Sequence, residues 1–288
     1  MTATERGQVL RAQLARRDAA SRVRRLVGKL IPPAVVFLVA LAGWYTISMV
    51  ILSKDERFLL PPPHDVVRIG FLDPYNLNQL LVALKLSAEV AMLGLVIAVL
   101  VGMTMAVIMS QAAWLERSLF PYAVVLQTVP ILALVPMFGF WFGFGFFSRV
   151  LVCVLIALFP IIANTLFGLR SVAEHHRDLF ALHRAGRLTR LIKLEIPAAS
   201  PSIFTGLRIA AGLSVIGAIV GDFFFKQGQP GIGLLVEIYR QRLQSAQLFA
   251  AVILSSLLGL IVFWSFGFAA RLVVGRWHES ARGEKGWR

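Results

Sequence analysis

Apolar residues in this chain fall in long runs, and that feature narrows its possible folds more than any other. Six runs stand out: Pro32 to Leu52, then about Ala88 to Met109, Leu119 to Phe138, Val150 to Gly168, Ile203 to Phe225 and Leu248 to Leu272. Each is close to the ~20 residues that cross a hydrocarbon core of about 30 Å as a helix. Lipid offers no hydrogen-bond partners to backbone amides, so helices are the natural spanning solution. A membrane β-barrel would instead show short segments of alternating polarity. Composition agrees: 58% of residues are hydrophobic and 15% charged, where a soluble domain carries about 25% charged. The expectation is an all-α polytopic membrane protein of about six transmembrane helices.

The net charge of +14 points to topology before it points to a nucleic-acid partner, and none is expected. Residues 1–30 form a basic arm, with Arg6, Arg11, Arg16, Arg17, Arg22, Arg24, Arg25 and Lys29. The apolar run that follows is too long for a signal peptide and lacks a small-residue cleavage site, so the arm reads as an uncleaved cytoplasmic segment. With the arm inside, 21 of the 29 Lys and Arg fall on cytoplasmic segments and 8 on external loops and their flanks. That asymmetry fits an even number of spans, with both termini inside. The resulting division is 1–30 as arm, 31–272 as transmembrane domain and 273–288 as a basic cytoplasmic tail. Lys54 to Asn78, polar and rich in proline, reads as an external loop.

No motif for catalysis is present. There is no G-x-x-x-x-G-K-[ST] phosphate loop, no H-E-x-x-H and no G-x-S-x-G. The lone Cys153 permits neither an intrachain disulfide nor a cysteine metal cage. His175 and His176 are adjacent, so on a helix they diverge by about 100° and make a poor metal pair. Neither a catalytic residue nor a metal site is expected, and energy for any transport has to come from a partner chain or an ion gradient. Ionisable groups inside spans are the default functional candidates. Glu89 has Lys85 four residues before it, and Asp222 has Lys226 four residues after it. Each pair fits one helix face and reads first as an interfacial ion pair marking the outer surface. Gly139/Gly143 and Gly217/Gly221 are small residues spaced by four, which lets helices approach closely.

The segment between the fourth and fifth runs, about 170–201, is the most informative. Asp178 to Glu195 reads DLFALHRAGRLTRLIKLE, followed by Ile196-Pro197-Ala198-Ala199-Ser200-Pro201. Leu179, Leu182, Leu188, Leu191, Ile192 and Ile196 fall at helical spacings around a polar turn at Arg184 to Arg187. The two prolines are expected to break the chain before the next span. The residues describe an amphipathic helix-turn-helix on the cytoplasmic surface. By themselves they fit a surface connector and a docking element for a groove on a partner equally well.

That segment resembles the coupling loop of binding-protein-dependent ABC importer permeases. Their pattern is an acidic residue, two small residues, a glycine, then an apolar residue and proline before a span. Aligned from Pro197, Asp178 takes the acidic position and Leu179-Phe180 the two small ones. Arg184 falls where the glycine normally sits, with Gly186 two places later. Other stretches are similar to the nitrate/sulfonate/taurine branch of that family: LPPPHDV (60–66), QTVPILALVPMFGFWFGFG (127–145), FPIIANT (159–165), PSIFTGLRIA (201–210), VIGAIVGDFF (215–224) and GQPGIG (228–233). Together they cover about residues 60 to 270 in order. Asp222 stands where the branch carries a glutamate.

The resemblance implies a type I ABC importer permease fold with a cytoplasmic coupling helix-turn-helix, working by alternating access in a bacterial plasma (inner) membrane. It implies cytoplasmic ATPase subunits that hold ATP and magnesium, an external solute-binding protein, and a homodimer of the permease with glycine faces of the fifth span near the dyad. No cofactor is expected in this chain. Asp178, Leu179, Phe180, Arg184, Ala185, Gly186 and Pro197 become the expected ATPase contacts. Gln127, Pro130, Asn164 and Asp222 become pathway candidates, the amides serving equally well as packing glue between helices. Solutes handled by the branch include nitrate, sulfonates and thiamine-precursor pyrimidines. A secondary carrier or channel without ATP is the alternative, and it would call for ion ligands at mid-depth.

Overall fold

The computed structural model describes residue 28 and residues 31–274. The basic arm and most of the tail lie outside the described residues. The chain divides into two compact units that meet at Val67 and Arg68.

In the first unit, α1 (Ile31–Ile51) is one apolar helix whose last turn is widened to a π-turn. The proline-rich stretch folds back onto its end. Trp44 donates its indole N–H to the Pro61 carbonyl at 2.9 Å, Ser48 donates to Leu60 O at 2.7 Å, and Tyr45 stacks on His64. Prolines suit this role because they need no backbone donor of their own.

The second unit is a helical assembly. α2 (Pro74–Ser110) runs for 37 residues, about 55 Å at ~1.5 Å per residue. It starts earlier than the expected loop allows, because Asp73 caps it by accepting from Tyr75 N and Asn76 N while Pro74 fills the first helical position. Next come α3 (Ala113–Thr128) and α4 (Ile131–Phe142), bent by 96° at their junction. The apolar run at Leu119 to Phe138 is therefore not one straight span. Val129 precedes Pro130 and is driven to extended backbone (ψ 128°), since proline excludes the α region from the residue before it. α5 (Phe146–Arg170) follows, then a short α6 (Glu174–Leu182).

α7 (Arg187–Phe224) corrects the expected break at the two prolines. The helix runs on through Pro197 and Pro201, and a π-turn at Leu191–Glu195 lies just before them. A widened turn can absorb the backbone bond that a proline cannot make. The second surface helix and the following span are thus one continuous element. α8 (Ile232–Gln241) and α9 (Ser245–Val274) complete the described residues. Among the described residues, five helices are long and apolar enough to cross a membrane, or six when the bent α3–α4 pair is taken as one span.

The core lies where α2, α5 and α7 meet, and small residues set its spacing. Gly94 of α2 and Gly217 of α7 both press on Cys153 of α5 so closely that an added Cβ would collide, and Gly221 lies so near Arg149 that a Cβ there would fit only if Arg149 shifted. Without a large hydrophobic gain between helices in lipid, such close backbone approach is what holds a bundle together. The Gly217/Gly221 face is accordingly covered inside this chain by α5, not left open at a dyad. Gly139 abuts the Phe144 ring and Gly143 ends α4 at φ 85°, so that pair does not form a helix-contact face either.

Candidate functional site

Two arrangements of polar groups stand out, at opposite ends of α5 and α7. The first is the turn between them. α6 ends at Leu182, and Ala185 N bonds to Phe180 O at 3.0 Å while Arg184 N bonds to Ala181 O at 2.9 Å. This pair of reversed bonds is the Schellman ending of a helix, which requires a left-handed residue between them. Arg184 supplies it at φ 49°. The glycine expected at that position is absent, and arginine takes a left-handed backbone that glycine adopts without steric cost. Gly186 then caps α7 in extended backbone. The displaced glycine thus sits at a position that needs no left-handed freedom.

Beyond that turn, the apolar stripe faces outward. Leu182 and Leu188 are 82% and 68% exposed, and Leu179 and Ile192 are more than half exposed. Asp178 and Gly186 are exposed as well, while Phe180, Ala185 and Pro197 are half-buried. The segment is anchored at its flanks. Arg170, ending α5, pairs with Glu116 at the start of α3, and Arg190 pairs with Glu195 at 3.0 Å. The first pair places the α2–α3 turn at the same end of the unit as the α6–α7 turn.

The second arrangement went unread in the sequence. Arg149, at the start of α5, and Asp222, near the end of α7, form an ion pair at 3.1 Å with side chains 1% and 0% exposed. All five guanidinium donors are used. Nε and Nη2 reach Phe225 O at 3.0 and 2.5 Å, Nη2 also reaches Gln227 O at 3.1 Å, and Nη1 reaches Gln229 O at 3.2 Å besides Asp222. The other carboxylate oxygen accepts from Ser87 Oγ of α2 at 2.5 Å and from Gly233 N at 3.3 Å, and Ser87 Oγ accepts from Ile232 N at 2.8 Å. A planar fork with five donors matches several carbonyls at once in a way lysine cannot. The loop has no room for side chains here: a Cβ on Gly231 would run into the Asp222 carboxylate, which accounts for a glycine in GQPGIG. One network therefore ties the body of α2 and the facing ends of α5 and α7 to the start of α8.

This corrects the expected Asp222–Lys226 pair, since Asp222 is turned inward to Arg149. Lys85 and Glu89 do form the expected pair, at 3.9 Å on an exposed face. The sequence signal for the network was Arg149 itself, a guanidinium at the edge of an apolar run. Its partner lies 73 residues away, out of reach of any local spacing rule. Among the other pathway candidates, Gln127 and Pro130 are exposed at the α3–α4 bend. Asn164 is half-buried, donates to Pro160 O at 2.8 Å and packs against Gly206 of α7.

The described residues thus form a bundle of helices long and apolar enough to cross a membrane, with a helix-turn-helix whose apolar stripe faces outward between two closely packed ones. Residues 81–275 match the model of the family described as "Binding-protein-dependent transport system inner membrane component". The chain is 32% identical over 240 residues to the formylaminopyrimidine transport permease protein ThiX of Halalkalibacterium halodurans, covering 83% of this chain and 90% of that one. It is 29% identical to the putative aliphatic sulfonates transport permease protein SsuC of Bacillus subtilis, over 80% of each chain. It is 28% identical to the nitrate import permease protein NrtB of Leptolyngbya laminosa, over 90% of this chain and 95% of that one. The chain belongs to the family of binding-protein-dependent inner-membrane transport components, in its nitrate/sulfonate/taurine branch. It is a multi-pass permease subunit of an ABC importer, a transporter component and not itself an enzyme, and it works with an ATPase and a solute-binding protein.

Proposed function

We propose that this permease lines the solute pathway of an importer in a bacterial plasma membrane, with both termini cytoplasmic, and that it acts as a homodimer. The observation that carries the reading is the outward-facing leucine and isoleucine stripe on α6 and the start of α7, a surface that water disfavours and a partner groove would cover. Asp178, Leu179, Phe180, Arg184, Ala185, Gly186 and Pro197 form or frame the contact with a cytoplasmic ATPase subunit. ATP and magnesium belong to that subunit, and this chain needs no cofactor. The rigid join of α6–α7 to a span transmits closure of the ATPase pair to the pathway. Gln127, Pro130 and Asn164 face or flank that pathway, and Asp222 keeps the outer end of α7 fixed.

The solute is small, either a nitrate-, sulfonate- or taurine-like anion or a thiamine-precursor pyrimidine. A formylaminopyrimidine comes first, on the identity and coverage shared with the relative named for it. The test is co-expression with a candidate ATPase and reconstitution in lipid, with and without the binding protein, comparing wild type with Asp178→Lys/Gly186→Arg. Co-purification and stimulated hydrolysis, both lost in the double variant, support the reading. A chain that purifies alone and moves solute without ATP, indifferent to these substitutions, overturns it.

A further inference from the structure

A groove of about 690 Å³ runs between α7 and α9, lined among others by Ile216, Leu260, Val252 and Phe263 and reached by Val236 of α8. Its lining is apolar in effect, because the two serines in it, Ser255 and Ser256, donate to the carbonyls of Ala251 and Val252 on their own helix. Much of the rim is open: Ile209, Ile216, Val252 and Leu260 are exposed. None of its lining comes from α3, α4 or α5, the elements that carry the pathway candidates Gln127, Pro130 and Asn164.

One charge stands at the end of this groove. Arg208 of α7 lays its guanidinium over the Phe263 ring, 4.0 Å from the centroid, and against Gly267 one turn further along α9. Phe263 is at once its platform and a wall of the groove. Arg208 is exposed, and among the described residues it forms no ion pair. A guanidinium held on a ring face keeps its edge donors free for a planar or tetrahedral anion. Its depth is informative too. It lies about 24 Å along the helix from Phe224 at ~1.5 Å per residue, and a hydrocarbon core is about 30 Å thick. On the orientation proposed above, on which this inference rests, that leaves its backbone about 6 Å short of the cytoplasmic headgroup boundary, a distance that an extended arginine side chain spans to reach anionic phosphates.

We propose that the α7–α9 groove is a binding site for an anionic phospholipid, one acyl chain lying along the groove and the phosphate meeting Arg208. Charge complementarity selects the occupant: an apolar slot that ends in one unpaired cation on the leaflet side fits an amphiphile with a single negative head. A small hydrophilic solute would leave the slot unfilled.

The test uses the full-length chain in neutral detergent, with thermal unfolding and native mass spectrometry in the presence of phosphatidylglycerol or phosphatidylcholine of identical chains. Phosphatidylglycerol is expected to be retained and to raise the unfolding temperature more than phosphatidylcholine. Arg208→Gln should erase that preference through a roughly tenfold or greater loss of affinity, and Arg208→Lys should keep part of it. Gly259 lines the groove, and a Cβ there would meet only the Val215 side chain at ordinary contact distance, so Gly259→Leu should weaken binding of both lipids without disturbing the fold. Glycerol phosphate, which has the head without the tail, should bind negligibly. Equal retention of the two lipids overturns the proposal, as does a phosphatidylglycerol preference that survives Arg208→Gln, since the rest of this basic chain would then explain it. Spontaneous disulfide linkage of an Ile216→Cys variant in liposomes would show that a second copy covers the groove, and would overturn it as well. No readout requires solute, ATP or the ATPase, so failure here and failure of the importer reading are distinguishable.

Discussion

At the scale of single residues, Arg149 is the side chain on which most depends. It is buried with every donor satisfied, and replacing it leaves a charged Asp222 and three loop carbonyls facing an apolar interior. Removing one member of a buried pair costs about 3–5 kcal/mol, whereas replacing both with apolar groups is often far less damaging. Arg149→Met is therefore expected to lower the thermal midpoint in detergent sharply, and Arg149→Met/Asp222→Leu to recover only part of the loss. The shortfall arises because Phe225, Gln227 and Gln229 carbonyls depend on the guanidinium in either background. Full recovery would show that the loop bonds contribute nothing. Arg184 offers the opposite experiment. A left-handed backbone costs a non-glycine residue ~1–2 kcal/mol, and glycine gives back about 0.5–1 kcal/mol in chain entropy. Arg184→Gly should thus stabilise the α6–α7 turn by up to about 1 kcal/mol, seen as slower amide exchange at residues 184 and 185. A faster exchange would mean that the side chain, not the backbone, holds the turn.

At the scale of elements, α8 is short, with Ile232, Leu234, Leu235 and Tyr239 buried and an ion pair near its end. Arg240 and Gln241 hydrogen-bond the Glu237 carboxylate, and these bonds hold its pKa down to about 2, from the ordinary 4.5. A depressed carboxylate adds stability above its unfolded pKa and loses it as pH falls toward the folded one. Exchange protection of amides 232–241 should therefore decline between pH about 4.5 and about 2, and Glu237→Gln should flatten that dependence. An unchanged profile in the variant would place the titration elsewhere. Elements also show how far sequence carries. The helices around residues 31–51, 146–170 and 245–274 were legible, because apolar length in lipid leaves the backbone a single economical solution. The bend at Val129-Pro130 was written in the chain, but continuous hydropathy across it masked the proline. At Pro197 the error ran the other way: the proline rule predicted a stop, and a π-turn absorbed it. The helix-turn-helix at residues 174–196 was legible in its amphipathic spacing, while the Schellman turn at Arg184 was not, because arginine carries no propensity for that conformation.

At the scale of the whole molecule, the number of crossings depends on α3 and α4. If the bent pair crosses the bilayer, the two ends of that pair open on opposite faces. Single cysteines at Trp114 and Gly145 should then react with an impermeant maleimide from opposite sides, and native Cys153, fully buried, stays silent. Labelling from one side would make the pair re-entrant and place the termini on different faces. The Arg149–Asp222 network, finally, bears on how the chain is made. Its two halves are separated by 73 residues, about 4–15 s of synthesis at ~5–20 residues per second. Through that interval α5 has left the ribosome while the carboxylate that neutralises it has yet to be translated. A nascent chain truncated before α7 should integrate α5 poorly in a glycosylation-mapping assay, and Arg149→Leu should restore it. That pair of results would mean that biogenesis of this permease carries a waiting step, with α5 held out of the lipid until α7 arrives.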